Sequence, residues 1–168
     1  MIQIFITGGT FDKEYNYITG ELTFYKTHVN DMLKRGRCGA DVDIETIMMK
    51  DSLDLTDEDR SEIAERCRTC TSSQIVITHG TDTMVESAKY LAESNLTADK
   101  TIILMGAMIP YTFGTSSDGF FNLGAALAFV QCKAPGIYVA MNGRCFDWNN
   151  VKKNFNTGFF EALQENGS

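Results

Sequence analysis

Two short clusters carry side chains suited to chemistry on a small polar molecule. Thr78-His79-Gly80-Thr81-Asp82 sets a hydroxyl beside a carboxylate, and Thr7-Gly8-Gly9-Thr10 ends a pair of glycines in a second hydroxyl. A hydroxyl becomes a useful nucleophile only beside a group that takes its proton, and a carboxylate can seat an ammonium. Thr and Asp are also preferred helix N-caps, and capping without chemistry is the commoner reason for such a pair. For Gly-Gly-Thr the plain alternative is a turn that needs glycine. The surroundings decide between these readings.

Each cluster follows a strand-like run. Ile75-Val76-Ile77 is apolar and β-branched, as a strand buried on both faces would be, and Ile2 to Ile6 is a similar run ahead of the first cluster. From Thr83, the positions Val85, Ala88, Tyr90 and Leu91 approximate a helical period. In an open α/β sheet, ligands bind beyond the carboxyl ends of the strands, where helix N-termini offer free N–H groups. Both threonines are expected there.

The rest of the chain repeats the alternation. Val29 to Arg35 predicts a short helix, and Val42 to Met49 a strand ending in Lys50-Asp51-Ser52-Leu53-Asp54. Thr56 is the predicted N-cap of a helix that opens with Asp57, Glu58 and Asp59 and runs to about Thr71. Thr101 to Met105 predicts a strand ending in Gly106-Ala107-Met108-Ile109-Pro110, and Ser116-Ser117-Asp118-Gly119 leads into a helix over Phe120 to Gln131. Ile137 to Ala140 is the last expected strand, followed by a polar tail from Met141 that includes Asn142, Lys152 and Lys153. This pattern predicts an α/β fold: an open, mainly parallel sheet with helices on both faces. Between Phe11 and Tyr25 an aromatic-rich stretch reads as a β-hairpin, Tyr15 to Ile18 and Glu21 to Tyr25, turning at Thr19-Gly20. Placed directly after the first cluster, it is expected to act as a lid, with at most one of Tyr15 and Tyr17 facing the cleft.

Composition bounds the function. A chain of 168 residues, 43% of them hydrophobic, suits one domain spanning 1–168, and eleven Phe supply a sizeable core. The net charge of −7 argues against nucleic acid or an anionic membrane as partner, since both reward clustered Lys and Arg. No apolar run approaches the roughly eighteen residues of a membrane helix, and a first strand at Ile2 predicts no leader peptide. Five cysteines, odd in number and scattered, fit a cytoplasmic protein with free thiols. Cys67-Arg-Thr-Cys70 ends a predicted helix, whereas a redox motif should open one, so these thiols are read as structural. G-x-G-x-x-G and G-x-x-x-x-G-K-[ST] are absent, and no His/Cys/Asp cluster has ligand spacing. Neither cofactor nor metal is expected, and His79, with no obvious partner, is taken as structural.

Thr7-Gly8-Gly9-Thr10, Thr78-His79-Gly80-Thr81-Asp82-Thr83-Met84, and Gly106-Ala107-Met108 with Ser117-Asp118-Gly119 occur in that order. Together they resemble the bacterial-type L-asparaginase/glutaminase family. The resemblance covers essentially the whole chain but only the family's N-terminal domain, so no C-terminal second domain is expected. It implies an amidohydrolase that converts L-asparagine and water to L-aspartate and ammonia. Glutamine or another small amide is the alternative substrate, and a non-catalytic sensor of Asn or Asp the alternative of another class. By resemblance, Thr10 is the nucleophile, while Thr81 belongs to a second triad completed by Lys153, with Lys152 adjacent. Asp82 would hold the substrate's amino group, Ser52 its α-carboxylate, and the Ala107 carbonyl its amide nitrogen. Tyr15 best resembles the lid tyrosine, and Leu53 stands where the family usually has a polar residue. Backbone N–H groups near Gly9-Thr10 and Thr81-Asp82 could receive the oxyanion. The partners implied are a small-molecule substrate and further copies of the chain, as a dimer or tetramer.

Overall fold

The computed structural model describes residues 1–96 and 99–164. β1 (Ile2–Gly8) is buried along its whole length, and a short 3-10 turn at Thr10–Asp12 leads from it into a hairpin of β2 (Lys13–Asn16) and β3 (Glu21–Phe24). Then come α1 (Val29–Arg35), β4 (Val42–Lys50), a 3-10 turn at Ser52–Asp54 and α2 (Asp57–Thr69). β5 (Gln74–Thr78), α3 (Met84–Glu93), β6 (Thr101–Met105), α4 (Gly119–Cys132) and β7 (Gly136–Met141) follow. β8 (Arg144–Asp147) and a small hairpin of β9 (Lys152–Lys153) and β10 (Phe160–Glu161) complete the chain.

Six strands form one sheet in the order β4-β1-β5-β6-β7-β8, parallel except for β8. The chain lays β4 on one side of β1, then crosses to lay β5 on the other. Winding therefore reverses between β1 and β5, and the crevice beyond the strand ends at such a reversal is where open α/β sheets bind ligands. Thr10 follows the first of these two strands and Thr81 the second.

Alternation along the strands feeds two cores. Ile4, Ile6, Val76 and Ile103 face α1 and α4, meeting Val29, Met32, Leu123, Ala126 and Val130. Phe5, Ile75, Ile77, Ile102 and Leu104 face α2 and α3, meeting Ile63, Ala64, Cys67, Met84, Ala88 and Leu91. Helices thus cover both faces, as the sequence predicts.

The departures are local. β1 extends to Gly8 because Gly8 pairs with Lys50 of β4 beyond a register shift, and the Thr7 hydroxyl donates to the Thr78 carbonyl at 2.6 Å, tying the end of β1 to the end of β5. The N-terminal hairpin starts two residues earlier than expected. Asn16 Oδ1 accepts the N–H groups of Ile18 and Thr19, so the turn begins at Asn16 and Tyr17 lies in it rather than in a strand. Thr56 caps α2 in a capping box with Asp59. That helix stops at Thr69 because Cys70 turns extended. The polar tail after Met141 is not featureless: β8 pairs with β7, and the β9–β10 hairpin is held by Val151 and Phe160, both in the core.

Candidate active site

Glycines bring the loops at the strand ends together. A Cβ on Gly9, whose φ is +78°, would lie 2.3 Å from the Gly80 nitrogen; one on Gly80 would lie 2.6 Å from the Ser52 side chain. A Cβ on Gly106 would lie 2.3 Å from the His79 carbonyl oxygen. Real side chains do not approach so closely, so only hydrogen fits at these positions. The backbones before Thr10, around Ser52, before Thr81 and before Ala107 are therefore in direct contact.

Thr81 is buried, and its hydroxyl is the meeting point of two other groups. Lys153 Nζ donates to Thr81 Oγ1 at 2.8 Å and also to Asp82 Oδ1, while Thr81 Oγ1 donates toward Met108 Sδ at 3.6 Å. The Lys153 side chain is only 7% exposed and lies over the Phe155 ring, whereas Lys152 is 54% exposed and points to Glu161. Burying an ammonium is costly without a charge partner, and Asp82 supplies one. Neither Thr81 nor Asp82 caps α3. The N-cap position is Thr83, whose hydroxyl donates to the Ser52 carbonyl at 2.7 Å. The plain capping explanation therefore fails for this pair.

The other expected site residues divide. Ser52 and Ala107 are buried beside the cluster, in the loops that Gly80 and Gly106 bring together. Thr10 opens the 3-10 turn after Gly9 and is half-buried. Tyr15 is paired with Leu22 in the hairpin and is 57% exposed; among the described residues its hydroxyl and that of Thr10 share no hydrogen bond. Side chains two apart on a strand share a face, so alternation does not separate Tyr15 from Tyr17; the turn does. Lys13 is on the Tyr15 face and pairs with Asp51 next to Ser52, which directs that face toward the site. Burial would push the Asp51 carboxyl up, but Lys13 and the N–H groups of Leu53 and Ser52 hold it below the usual carboxylate range.

The hairpin base is fixed. Asp12, wholly buried, accepts from the His28 N–H at 2.9 Å and the Thr27 hydroxyl at 3.2 Å, closing the two ends of the excursion on each other. Among the described residues its second oxygen has no partner, and burial raises its pKa from 3.8 to about 6. His28 Nε2 lies 2.9 Å from Glu14 Oε1, close enough for an ion pair but without the alignment of a hydrogen bond. Thr112 Oγ1 adds a bond to the Lys13 carbonyl.

Sequence reasoning missed two buried polar networks. His79 is not partnerless: Nδ1 donates to the Gly80 carbonyl at 2.7 Å, and Nε2 accepts from Ser87 Oγ at 2.8 Å. Arg60 Nε donates to the same Ser87 oxygen. Burial lowers the His79 pKa to about 4, so the ring is neutral and serves to hold the Thr81 loop. Ser87 stands eight residues after His79, too far for local pattern to link them. The second network starts at Asp118, which accepts the N–H groups of Met108 and Ile109, and continues through the buried Asn122. The Ser117-Asp118-Gly119 motif flagged its first member only.

The comparisons with known proteins accord with this architecture. Residues 1–167 match the family described as Asparaginase, N-terminal. L-asparaginase 2 of Escherichia coli (strain K12) is 37% identical over 119 residues, covering 68% of this chain and 34% of the relative. A probable periplasmic L-asparaginase of Haemophilus influenzae is 33% identical over 175 residues, covering 93% of this chain and 47% of the relative. The crystal structure of a probable cytoplasmic L-asparaginase from Campylobacter jejuni superposes with a TM-score of 0.81 at 32% identity, over 96% of this chain and 52% of that one. The chain thus spans about half, or less, of the length of these relatives. With one family matched almost from end to end and a fold shared with its solved members, the chain belongs to the asparaginase N-terminal domain family.

Proposed function

We propose that this chain hydrolyses L-asparagine to L-aspartate and ammonia through a threonine nucleophile. The observation that carries the reading is the buried Lys153–Thr81–Asp82 cluster, set at the sheet's winding reversal and joined to the Thr10 loop through Gly9 and Gly80. Thr10 Oγ attacks the side-chain amide carbon and its proton passes to a base, for which Tyr15 is the candidate once the hairpin tip closes on substrate. Backbone N–H groups at Gly9-Thr10 and Thr81-Asp82 receive the negative charge that develops on the amide oxygen. The base passes that proton to the amide nitrogen as the C–N bond breaks, ammonia departs past the Ala107 carbonyl, and water then cleaves the acyl ester, returning the threonine hydroxyl and releasing aspartate. Asp82 Oδ1 faces Lys153, which leaves its other oxygen for the substrate ammonium, and Ser52 serves the α-carboxylate. Exposed Leu53 beside Ser52 gives that rim an apolar group. The odd, scattered cysteines support a cytoplasmic setting.

The test is ammonia release by the purified protein, with asparagine and glutamine compared. Release from asparagine at the higher kcat/KM is expected. Absence of release from either amide, with aspartate still bound by calorimetry, would overturn hydrolysis in favour of a sensor that kept the pocket.

A further inference from the structure

We propose that Asn142, locked in place by Asn122, is a positioning residue for Lys153. The proposal rests on the reading above only in treating Lys153 as part of the active site. Lys153 lies on β9, a strand of two residues whose sole ladder partner among the described residues is β10, with Phe160 opposite Lys153. So short a pairing does not fix a buried ammonium to hydrogen-bond precision by itself. The anchor comes from elsewhere: the Phe160 N–H donates to Asn142 Oδ1 at 2.9 Å.

Asn142 is held in turn. It follows β7 with φ +56°, a left-handed conformation that Asn tolerates better than most residues, and its own N–H donates to Asn122 Oδ1 at 3.2 Å. Asn122 is fully buried on α4 and uses all of its amide. Nδ2 donates to the Gly106 carbonyl and to Asp118 Oδ2, each at 3.0 Å, while Oδ1 takes the Asn142 N–H. Asp118 then secures the Met108 and Ile109 N–H groups. A continuous set of bonds therefore runs from the Ala107 loop through α4 to β10 and across the ladder to Lys153. The far side closes too. Gly158, in the β9–β10 turn, packs where a Cβ would meet Met108 Cε at 3.0 Å, and Met108 Sδ takes the Thr81 hydroxyl. The lysine and the threonine it touches are thus located by one frame.

The test reads the position of Lys153 without reference to turnover. The resting protein is pulsed with a small amine-acylating reagent, and each lysine's labelling rate is read by peptide mass spectrometry. In the native chain Lys153 should react far more slowly than exposed Lys152, and buried Lys100, anchored on the Cys70 and Ser72 carbonyls, reports any general loosening. Asn142→Gly keeps the left-handed backbone but removes the acceptor. It should speed Lys153 labelling roughly tenfold, the effect of losing one hydrogen bond from a local opening, with Lys100 unchanged. Asn142→Asp keeps an acceptor and should restore protection. In the kinetics, Asn142→Gly should lower kcat more than it raises KM, with recovery in the Asp variant. Should the glycine variant label Lys100 as well, Asn142→Ala carries the same comparison. Unchanged Lys153 protection in a folded variant lacking the acceptor overturns the proposal. Raised labelling in a protein that never releases ammonia would uphold it while removing the proposed hydrolase function.

Discussion

At the scale of single residues, the candidate site separates, among the described residues, a threonine hydroxyl with a partner from one without. Thr81 is hydrogen-bonded to a buried lysine, whereas Thr10 is positioned by its backbone. If Thr10 attacks and the Thr81 triad serves it, Thr10→Ala and Thr81→Ala should each lower kcat by several orders of magnitude while the urea midpoint moves little. A variant that kept near-native kcat would reduce its residue to a turn former. Asp12 allows a sharper prediction, because its folded pKa of about 6 lies above the ordinary 3.8. The folded chain therefore binds this proton before the unfolded chain does. The stability gained is fully present below about pH 4 and lost as pH rises through about 6, up to about 3 kcal/mol. His79 acts the other way. Its folded pKa of about 4 lies below 6.5, so the unfolded chain binds that proton first and stability is lost as pH falls from 6.5 toward 4. In the native chain the two offset one another over most of this window. Asp12→Asn removes one of them, so its stability relative to wild type should rise by about 3 kcal/mol between pH 4 and pH 8. Urea melts across that range decide it, and parallel curves for the two proteins would mean that Asp12 is not held neutral by burial.

At the scale of elements, the site is made by loops that touch because glycine leaves room. Gly9 and Gly20 have nearly the same φ, +78° and +76°, but a Cβ on Gly9 would strike the Gly80 backbone, whereas one on Gly20 would meet nothing within 4 Å among the described residues. Alanine at position 20 should cost only the left-handed backbone strain, about 1 kcal/mol. Gly9→Ala adds a collision with another main chain and should cost about 3 kcal/mol or more. Equal losses in thermal melts would show that the two threonine loops can separate freely. The hairpin follows the same logic of local geometry. Asp12, Thr112 and the Lys13–Asp51 pair hold its base, while Tyr17 and Ile18 at its tip are exposed, so the tip has fewer contacts to hold it than the base.

At the scale of the whole molecule, the surface carries a set of large apolar side chains. Phe113, Phe120, Phe121, Phe155 and Phe159 are all exposed, and an apolar groove of about 190 Å³ lies between α1 and α4, lined by Met32, Leu33, Phe120 and Leu127. Exposed aromatics and an apolar groove favour association, and two-fold pairing is its commonest form. A homo-oligomer is the expected state, with light scattering at micromolar protein giving at least twice the mass of the 18.7 kDa chain. A monomer mass would overturn this. Among the described residues no helix is long and apolar enough to cross a membrane.

What the sequence determined by itself is what nearest neighbours encode. Apolar runs such as Ile75-Val76-Ile77 located the parallel strands, Thr56 with its acidic first turn located α2, and the two threonine motifs marked the strand ends. Bounds were within about two residues for the parallel strands and the helices, because the period of the burial is the period of the pattern; β8, β9 and β10 were not located, although Phe146, Val151 and Phe160 join the core. Tertiary structure alone decided the rest. The strand order, and with it the reversal between β1 and β5, depends on pairings between segments about seventy residues apart. Which of two adjacent lysines meets Thr81 depends on β9's face toward the core, set by Val151 and Phe160, and not on any property of Lys152 or Lys153. The partners of His79 and the chain from Asp118 through Asn122 to Asn142 were invisible for the same reason. A buried amide or imidazole selects its hydrogen-bond partners by proximity in the folded chain, and that proximity is not written in the residues beside it.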